Sequence, residues 1–232
     1  MPRELTEDWA SYLWYEGMFW ASMTGMTLGW SLRTDGVGNV PRSGPALVIA
    51  NHQSFLDPML VGLGARRHLC YLARRTLFRS RAFTWLIRSL NAVAIDQEGV
   101  ALEGLRATLE QLESGRAVVV FPEGERTPDG LLHELRPGIH LLIKRSQCPV
   151  VPIGIAGAYD AWPRWRPLLV PAPLFWPAGK GTLAVCVGKP LPGGELAKLS
   201  RPELLTRLRG ELQTVVDRAE KLRRKEGRGS RE

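Results

Sequence analysis

At 232 residues, 44% of them hydrophobic and 23% charged, the chain is long enough to bury a sizeable core and too apolar for global disorder. Its three cysteines, Cys70, Cys148 and Cys186, are widely spaced, which excludes a C-x-x-C zinc or redox pair and reads as reduced core residues in a reducing compartment. The net charge of +8 admits nucleic acid, an anionic membrane or a phosphorylated substrate as partner. Nucleic acid is disfavoured, because no recognition module is visible and the aromatic residues lie far from the basic tail.

The first thirty residues hold Trp9, Tyr12, Trp14, Tyr15, Phe19, Trp20 and Trp30, and residues 17–32 carry no charge. That uncharged run is shorter than the ~20 apolar residues needed to cross a bilayer. Trp and Tyr suit the membrane–water boundary, where an apolar ring body and a polar tip are both satisfied. Residues 1–34 are therefore expected to form an interfacial helix or helix pair that docks on a membrane; packing onto the chain's own domain is the alternative. A secretory signal is not expected, since no basic region precedes a Leu-rich core.

From Arg33 onward Gly36, Gly38, Pro41, Gly44 and Pro45 mark an irregular linker into a single domain expected over 35–195. Residues 46–50 read as a buried strand. From its end hangs Asn51-His52-Gln53-Ser54-Phe55-Leu56-Asp57-Pro58. Asp57 before Pro58 fits a helix N-cap with proline at the first helical position, opening a helix through Met59, Leu60 and Leu63. Residues five apart on a helix point about 140° from each other, so His52 and Asp57 meet only if the chain turns between them. A strand, a tight connection and a new helix supply that turn. Asp57 would then accept the ring N–H and fix the tautomer, leaving the second ring nitrogen as a general base. Capping alone would equally explain Asp57, and an H-x4-D spacing by itself is a weak signal.

Leu102, Leu105, Leu109 and Leu112 recur at helical steps and stop at Gly115, followed by a second apolar strand over 117–121 that Pro122 ends. The strand, helix and strand order predicts an α/β fold with a mixed, largely parallel central sheet flanked by helices. Ligands bind such sheets beyond the carboxyl ends of the strands, where both motifs lie. In Phe121-Pro122-Glu123-Gly124-Glu125-Arg126-Thr127, Pro122 and Gly124 meet the backbone demands of a sharp turn. Arg126 either forks two hydrogen bonds to a phosphate or pairs with Glu125 or Asp129. Glu123 either orients a ligand or accepts backbone N–H groups.

Five prolines between Tyr159 and Pro177 rule out a long helix there. With Trp162, Trp165, Leu168, Leu169, Leu174, Phe175 and Trp176, this stretch reads as a loop beside the site that contacts lipid or simply packs. Residues 183–187 form a further strand. Ser200 and Glu203 make a capping box for a closing helix with Leu204, Leu208, Leu212, Val215 and Leu222 on one stripe, within a basic C-terminal helix and tail over 196–232.

The His52 and Glu123 blocks, together with Val151-Pro152-Ile153-Gly154-Ile155, resemble in the same order the first, third and fourth motifs of the glycerolipid acyltransferases. That family includes the 1-acylglycerol-3-phosphate acyltransferases, and the resemblance runs from about Leu32 to Lys189. It implies a mixed α/β domain that transfers an acyl group from acyl-CoA or acyl carrier protein to a glycerol hydroxyl of a phosphorylated acceptor, with no acyl-enzyme. By the same resemblance His52 is the base and Asp57 its orienter, Glu123, Gly124 and Arg126 bind the acceptor, and Arg74, Arg75 and Arg136 occupy further basic places. Neither a cofactor nor a metal is implied beyond the acyl thioester co-substrate. Partners would be the lipid acceptor, the thioester donor and the cytoplasmic face of a membrane, with acyl carrier protein as a further candidate.

Two departures from the family pattern bear on the acceptor. Gln97 stands after Ala94-Ile95-Asp96 where the family commonly has arginine, and Glu125 stands where it usually has threonine. One cation lost and one anion gained leave 1-acylglycerol-3-phosphate as the leading acceptor, with glycerol-3-phosphate or another lysolipid open. Two other classes are weighed beside this one. A hydrolase or transacylase would use Ser54 next to His52, although Ser54 lacks the Gly-x-Ser-x-Gly elbow. A non-catalytic phospholipid-binding module would keep the pocket without the chemistry.

Overall fold

A computed structural model describes residues 9–74, 81, 84, 92–95, 100–166, 168–172 and 182–224. Its strands are β1 (Arg33–Asp35), β2 (Ala46–Ala50), β3 (Leu69–Arg74), β4 (Ala92–Ile95), β5 (Ala117–Val120), β6 (Val150–Ala156) and β7 (Ala184–Val187). The helices are α1 (Trp9–Trp30), α2 (Asp57–Ala65), α3 (Val100–Glu113), α4 (Gly138–Ser146), α5 (Ala158–Ala161), α6 (Gly193–Leu196) and α7 (Arg201–Arg224). The strands form one sheet in the order β1-β7-β6-β2-β5-β3-β4. From β6 through β4 every pairing is parallel, whereas β7 runs antiparallel to β6 and parallel to β1. The mixed, largely parallel α/β sheet expected from the sequence is thus present.

Every residue of β2 and β6 is buried, which is why these strands are continuous apolar runs rather than alternating ones. Successive side chains serve opposite faces. Val48 joins Leu60, Val61 and Leu63 of α2 on one side, while Leu47 and Ile49 join Leu109, Leu112, Ile139, Leu142 and Ile143 of α3 and α4 on the other. Helix α7 completes that second layer with Leu204, Leu208 and Leu212. The capping box opens it, the Ser200 N–H donating to Glu203 Oε2 at 2.9 Å. The C-terminal helix is therefore part of the domain core and not an appendage beginning at 196.

Helix α7 lies so close to β6 that a Cβ at Gly154 would sit 2.3 Å from the carbonyl carbon and oxygen of Val215. Backbone cannot swing aside as a side chain tip can, so Gly154→Ala must push the helix off the sheet. We expect a loss of about 3 kcal/mol, read as a melting temperature lower by about 10 °C.

The sheet begins earlier than the composition suggests. Arg33–Asp35 pairs with β7, so a boundary drawn between 34 and 35 falls inside β1. A three-residue polar strand carries no apolar periodicity by which to find it. Its Arg33 side chain donates to the carbonyls of Leu222 and Arg223 at 2.7 and 2.9 Å, satisfying end carbonyls of α7 that have no partner within the helix.

Helix α1 has large apolar residues on both its inner and its outer side, with Glu16 as its single charge. Phe19, Met23, Met26 and Trp30 pack against the core, and the Tyr15 ring lies against His68. Trp9, Leu13, Trp14, Trp20 and Leu28 remain exposed. Packing on the chain's own domain, the alternative weighed beside membrane docking, is thus a feature of this helix, and its outer face stays aromatic. Among the described residues no helix is long and apolar enough to cross a membrane.

Candidate active site

The carboxyl ends of β6, β2 and β5 lie side by side, and each carries one of the sequence motifs. Where β2 stops, the Asn51 side chain continues its ladder. Nδ2 donates to the Ile155 carbonyl at 3.0 Å, and Oδ1 accepts from the Ile155 N–H at 2.8 Å. An asparagine amide imitates one more backbone rung, which frees the chain to leave the sheet at His52.

The turn that follows brings His52 and Asp57 together, with Nδ1 2.7 Å from Oδ2. The same oxygen accepts the backbone N–H groups of Gln53 at 2.5 Å and Ser54 at 2.7 Å. Asp57 is fully buried. Burial pushes its carboxyl above the ordinary value, and the His52 ring and the Ser54 and Gln53 amides oppose that shift. The helix-cap expectation is corrected here. Helix α2 begins at Asp57 with Pro58 in its first turn and no side-chain cap, because the carboxylate is turned back into the 52–54 turn, where three donors converge on it. A carboxylate acceptor keeps the ring proton on Nδ1 and leaves Nε2 with its lone pair. The ring stacks on Phe121, with centroids 4.1 Å apart and planes 18° apart, and the side chain keeps 20% of its surface open.

The His52 backbone is held as firmly as its ring. Its N–H donates to Glu123 Oε1 at 2.8 Å, and its carbonyl accepts from the Thr127 N–H at 2.8 Å. Glu123 Oε2 accepts from the His133 N–H at 2.9 Å. Both oxygens of this buried carboxylate thus accept backbone amides, the second of the two roles weighed for it. Glu123 braces the site; burial raises its pKa against the pull of the His133 and His52 amides.

Gly124 adopts φ +80°, and a Cβ there would approach the Arg136 side chain to 3.2 Å. Glycine thus lets Arg136 lie across the turn, with Nε 3.3 Å from the Glu123 carbonyl and Nη2 3.4 Å from Glu125 Oε1. The Arg126 guanidinium lies 3.6 Å from the centre of the Phe55 ring, an arrangement in which ring and cation attract. Of the residues singled out from the sequence, His52, Asp57, Glu123, Gly124, Arg126 and Arg136 therefore belong to one loop system. Arg74 ends β3 at the same sheet edge, and Arg75 and Gln97 lie outside the described residues.

Over residues 162–166 and 168–172 the stretch after α5 runs as a loop beside this site. The Tyr159 hydroxyl donates to the Pro128 carbonyl at 2.6 Å, and Trp30 Nε1 of α1 to the Val170 carbonyl at 2.7 Å. Leu174, Phe175 and Trp176 lie outside the described residues. Ser54 is buried, its hydroxyl donating to the Trp162 carbonyl at 2.6 Å and accepting from the Leu56 N–H at 3.2 Å. Both of these bonds of the Ser54 hydroxyl run to backbone groups. The sequence reading missed Arg164, whose Nη1 donates to the Arg126 carbonyl at 3.3 Å; nothing local in the sequence couples positions 38 apart. It missed the Phe121 shelf too, though that residue opens the second motif.

A family model described as acyltransferase matches residues 31–156. The chain is 26% identical over 180 residues to a chloroplastic 1-acyl-sn-glycerol-3-phosphate acyltransferase of Arabidopsis thaliana, covering 76% of this chain and 48% of that protein. It is 28% identical over 179 residues to a 1-acyl-sn-glycerol-3-phosphate acyltransferase of Pseudomonas aeruginosa, covering 75% and 64%. The chain thus spans about half the length of the plant relative and less than two thirds of the bacterial one. Its fold is similar to the crystal structure of the 1-acyl-sn-glycerophosphate acyltransferase PlsC from Thermotoga maritima, with a TM-score of 0.67 at 27% identity over 86% of this chain and 74% of that one.

Proposed function

The chain belongs to the acyltransferase family, and from that premise we propose that it moves a fatty acyl group from acyl-CoA or acyl carrier protein to the free hydroxyl of 1-acylglycerol-3-phosphate, giving phosphatidic acid. The observation that carries this reading is the His52–Asp57 pair at 2.7 Å, set in one loop system with Arg126 and Arg136. The acceptor is supported by the plant and bacterial relatives, both 1-acyl-sn-glycerol-3-phosphate acyltransferases.

In this reading His52 Nε2 takes the proton of the acceptor hydroxyl as its oxygen attacks the thioester carbonyl. Asp57 steadies the imidazolium so formed. When the tetrahedral species collapses, the C–S bond breaks and the thiolate takes the proton back from His52, leaving an ester, a free thiol and the neutral ring. A positioned base contributes about 10²–10⁴ in rate. The thiolate is already a good leaving group, so positioning supplies much of the remainder. Arg126 holds the acceptor phosphate as a fork. The exposed Trp9, Trp14 and Trp20 of α1 support docking on the cytoplasmic face of a membrane, from which the lipid acceptor would be drawn.

The test is acyl transfer from a CoA thioester, and separately from an acyl carrier protein thioester, to lysophosphatidic acid, glycerol-3-phosphate and a neutral lysolipid. Phosphatidic acid is the expected product. Product from glycerol-3-phosphate alone would overturn the acceptor, and no product from any pair would overturn the reading.

A further inference from the structure

Glu125 sits between two arginines that come from different parts of the chain. Its Oε1 is 3.4 Å from Arg136 Nη2 and its Oε2 is 3.7 Å from Arg164 Nη1. Arg164 also reaches the Arg126 carbonyl, so its guanidinium lies against the backbone of the residue placed on the phosphate. We infer that Arg164 completes the phosphate subsite with Arg126 and Arg136, and that Glu125 is the subsite's resident counter-ion, which an incoming phosphate replaces. The inference rests on the proposed transfer to a phosphorylated acceptor.

Both contacts are single-point and longer than the 2.7–2.9 Å of a good charge-assisted pair. All three side chains are well exposed, Glu125 at 61%, Arg136 at 68% and Arg164 at 47%. Such pairs hold little free energy and give way to a better anion. A phosphate carries up to two charges and three acceptor oxygens, enough to take a fork from each guanidinium, which a carboxylate straddling two arginines at these distances does not do. Until it arrives, Glu125 offsets the mutual repulsion of neighbouring cations.

The backbone on either side of Arg164 is anchored at several points. The Trp162 carbonyl two residues before it accepts from Ser54 Oγ at 2.6 Å, the Trp162 ring packs on Phe55 at 5.2 Å, and Tyr159 is fastened to Pro128. The loop that bears Arg164 is thereby stapled to both motif turns. Arg166, by contrast, is directed to the Asp160 carbonyl.

The phosphate could belong to the acceptor or to the CoA donor; we assign it to the acceptor, and the two have separable signatures. In the full chain, Arg164→Gln is expected to raise the acceptor KM for lysophosphatidic acid about ten-fold, with the effect falling on KM rather than kcat and the donor KM unmoved. Arg164→Lys recovers part of the loss, since charge returns without the fork. Glu125→Gln lowers the acceptor KM about three-fold and strengthens inhibition by inorganic phosphate.

An acceptor KM unchanged in Arg164→Gln would overturn the inference. So would a shift in the donor KM instead, or an equal rise for neutral monoacylglycerol, which would mark a merely structural role. If the wild-type protein acylates no phosphorylated acceptor, it is the proposed transfer to a phosphorylated acceptor that fails. Calorimetric titration of lysophosphatidic acid into wild type and Arg164→Gln then decides the subsite alone, equal affinities or no binding overturning it.

Discussion

His52→Ala is expected to lower the rate of acyl transfer by about 10²–10⁴-fold while leaving the fold standing. The two parts of the residue are separable. Its backbone is fixed by Glu123 and Thr127, contacts that an alanine keeps. Its ring closes a partly open site rather than a core, with Phe121 as a shelf and Asp57 behind it. The substitution therefore removes the base and the aromatic stack without withdrawing support from β2. The measurement is kcat with lysophosphatidic acid beside a melting curve. A rate within ten-fold of wild type would remove His52 as the base, and a collapse of the melting temperature would place it among structural residues instead.

Asp57→Ala is expected to abolish turnover to a similar degree and to destabilise the fold as well. Asp57 Oδ2 is the shared acceptor of the His52 ring and of two backbone N–H groups in a buried turn, and a buried donor left without an acceptor costs about 1–3 kcal/mol. A loss of about 3 kcal/mol would lower the urea midpoint with an unchanged slope. Asp57→Asn divides the two roles. Its amide oxygen still accepts from the turn, so stability returns in large part, but a neutral amide neither stabilises the imidazolium nor holds the tautomer as a carboxylate does. Activity in Asp57→Asn therefore stays far below wild type, and activity near wild type would reduce Asp57 to a turn brace. Because base and orienter act as one unit, His52→Ala/Asp57→Ala should be little slower than either single variant.

Wherever the fold reads clearly in the sequence, the reason is local. Residues 46–50 and 117–121 are unbroken apolar runs, and the heptad-like leucines that culminate in Leu109 and Leu112 of α3 keep helical period. The Ser200–Glu203 box is complete within four residues. By contrast β1 is too short and polar to leave a pattern, and helix α4 was not singled out although its Ile139, Leu142 and Ile143 face the core. At the site, the meeting of His52 and Asp57 followed from a spacing that only a turn could close. What could not be read is everything that depends on distant segments touching. Examples are the Asn51 rung on Ile155, the capture of the Ser54 hydroxyl by Trp162, and the approach of Arg164 to Arg126. For Asp57 the sequence also admits a helix cap, because a carboxylate before a proline fits one until the convergence of three donors on one oxygen is seen.

That convergence has a further consequence. Every described donor to Asp57 Oδ2 lies at positions 52 to 54, so the pair proposed to be reactive is a short cassette, braced from outside by Glu123 and Thr127. The cationic residues beside it are gathered from positions 126, 136 and 164, on separate stretches that a point substitution or a loop exchange can alter one at a time. Descendants of such a scaffold are expected to change clients readily and chemistry hardly at all.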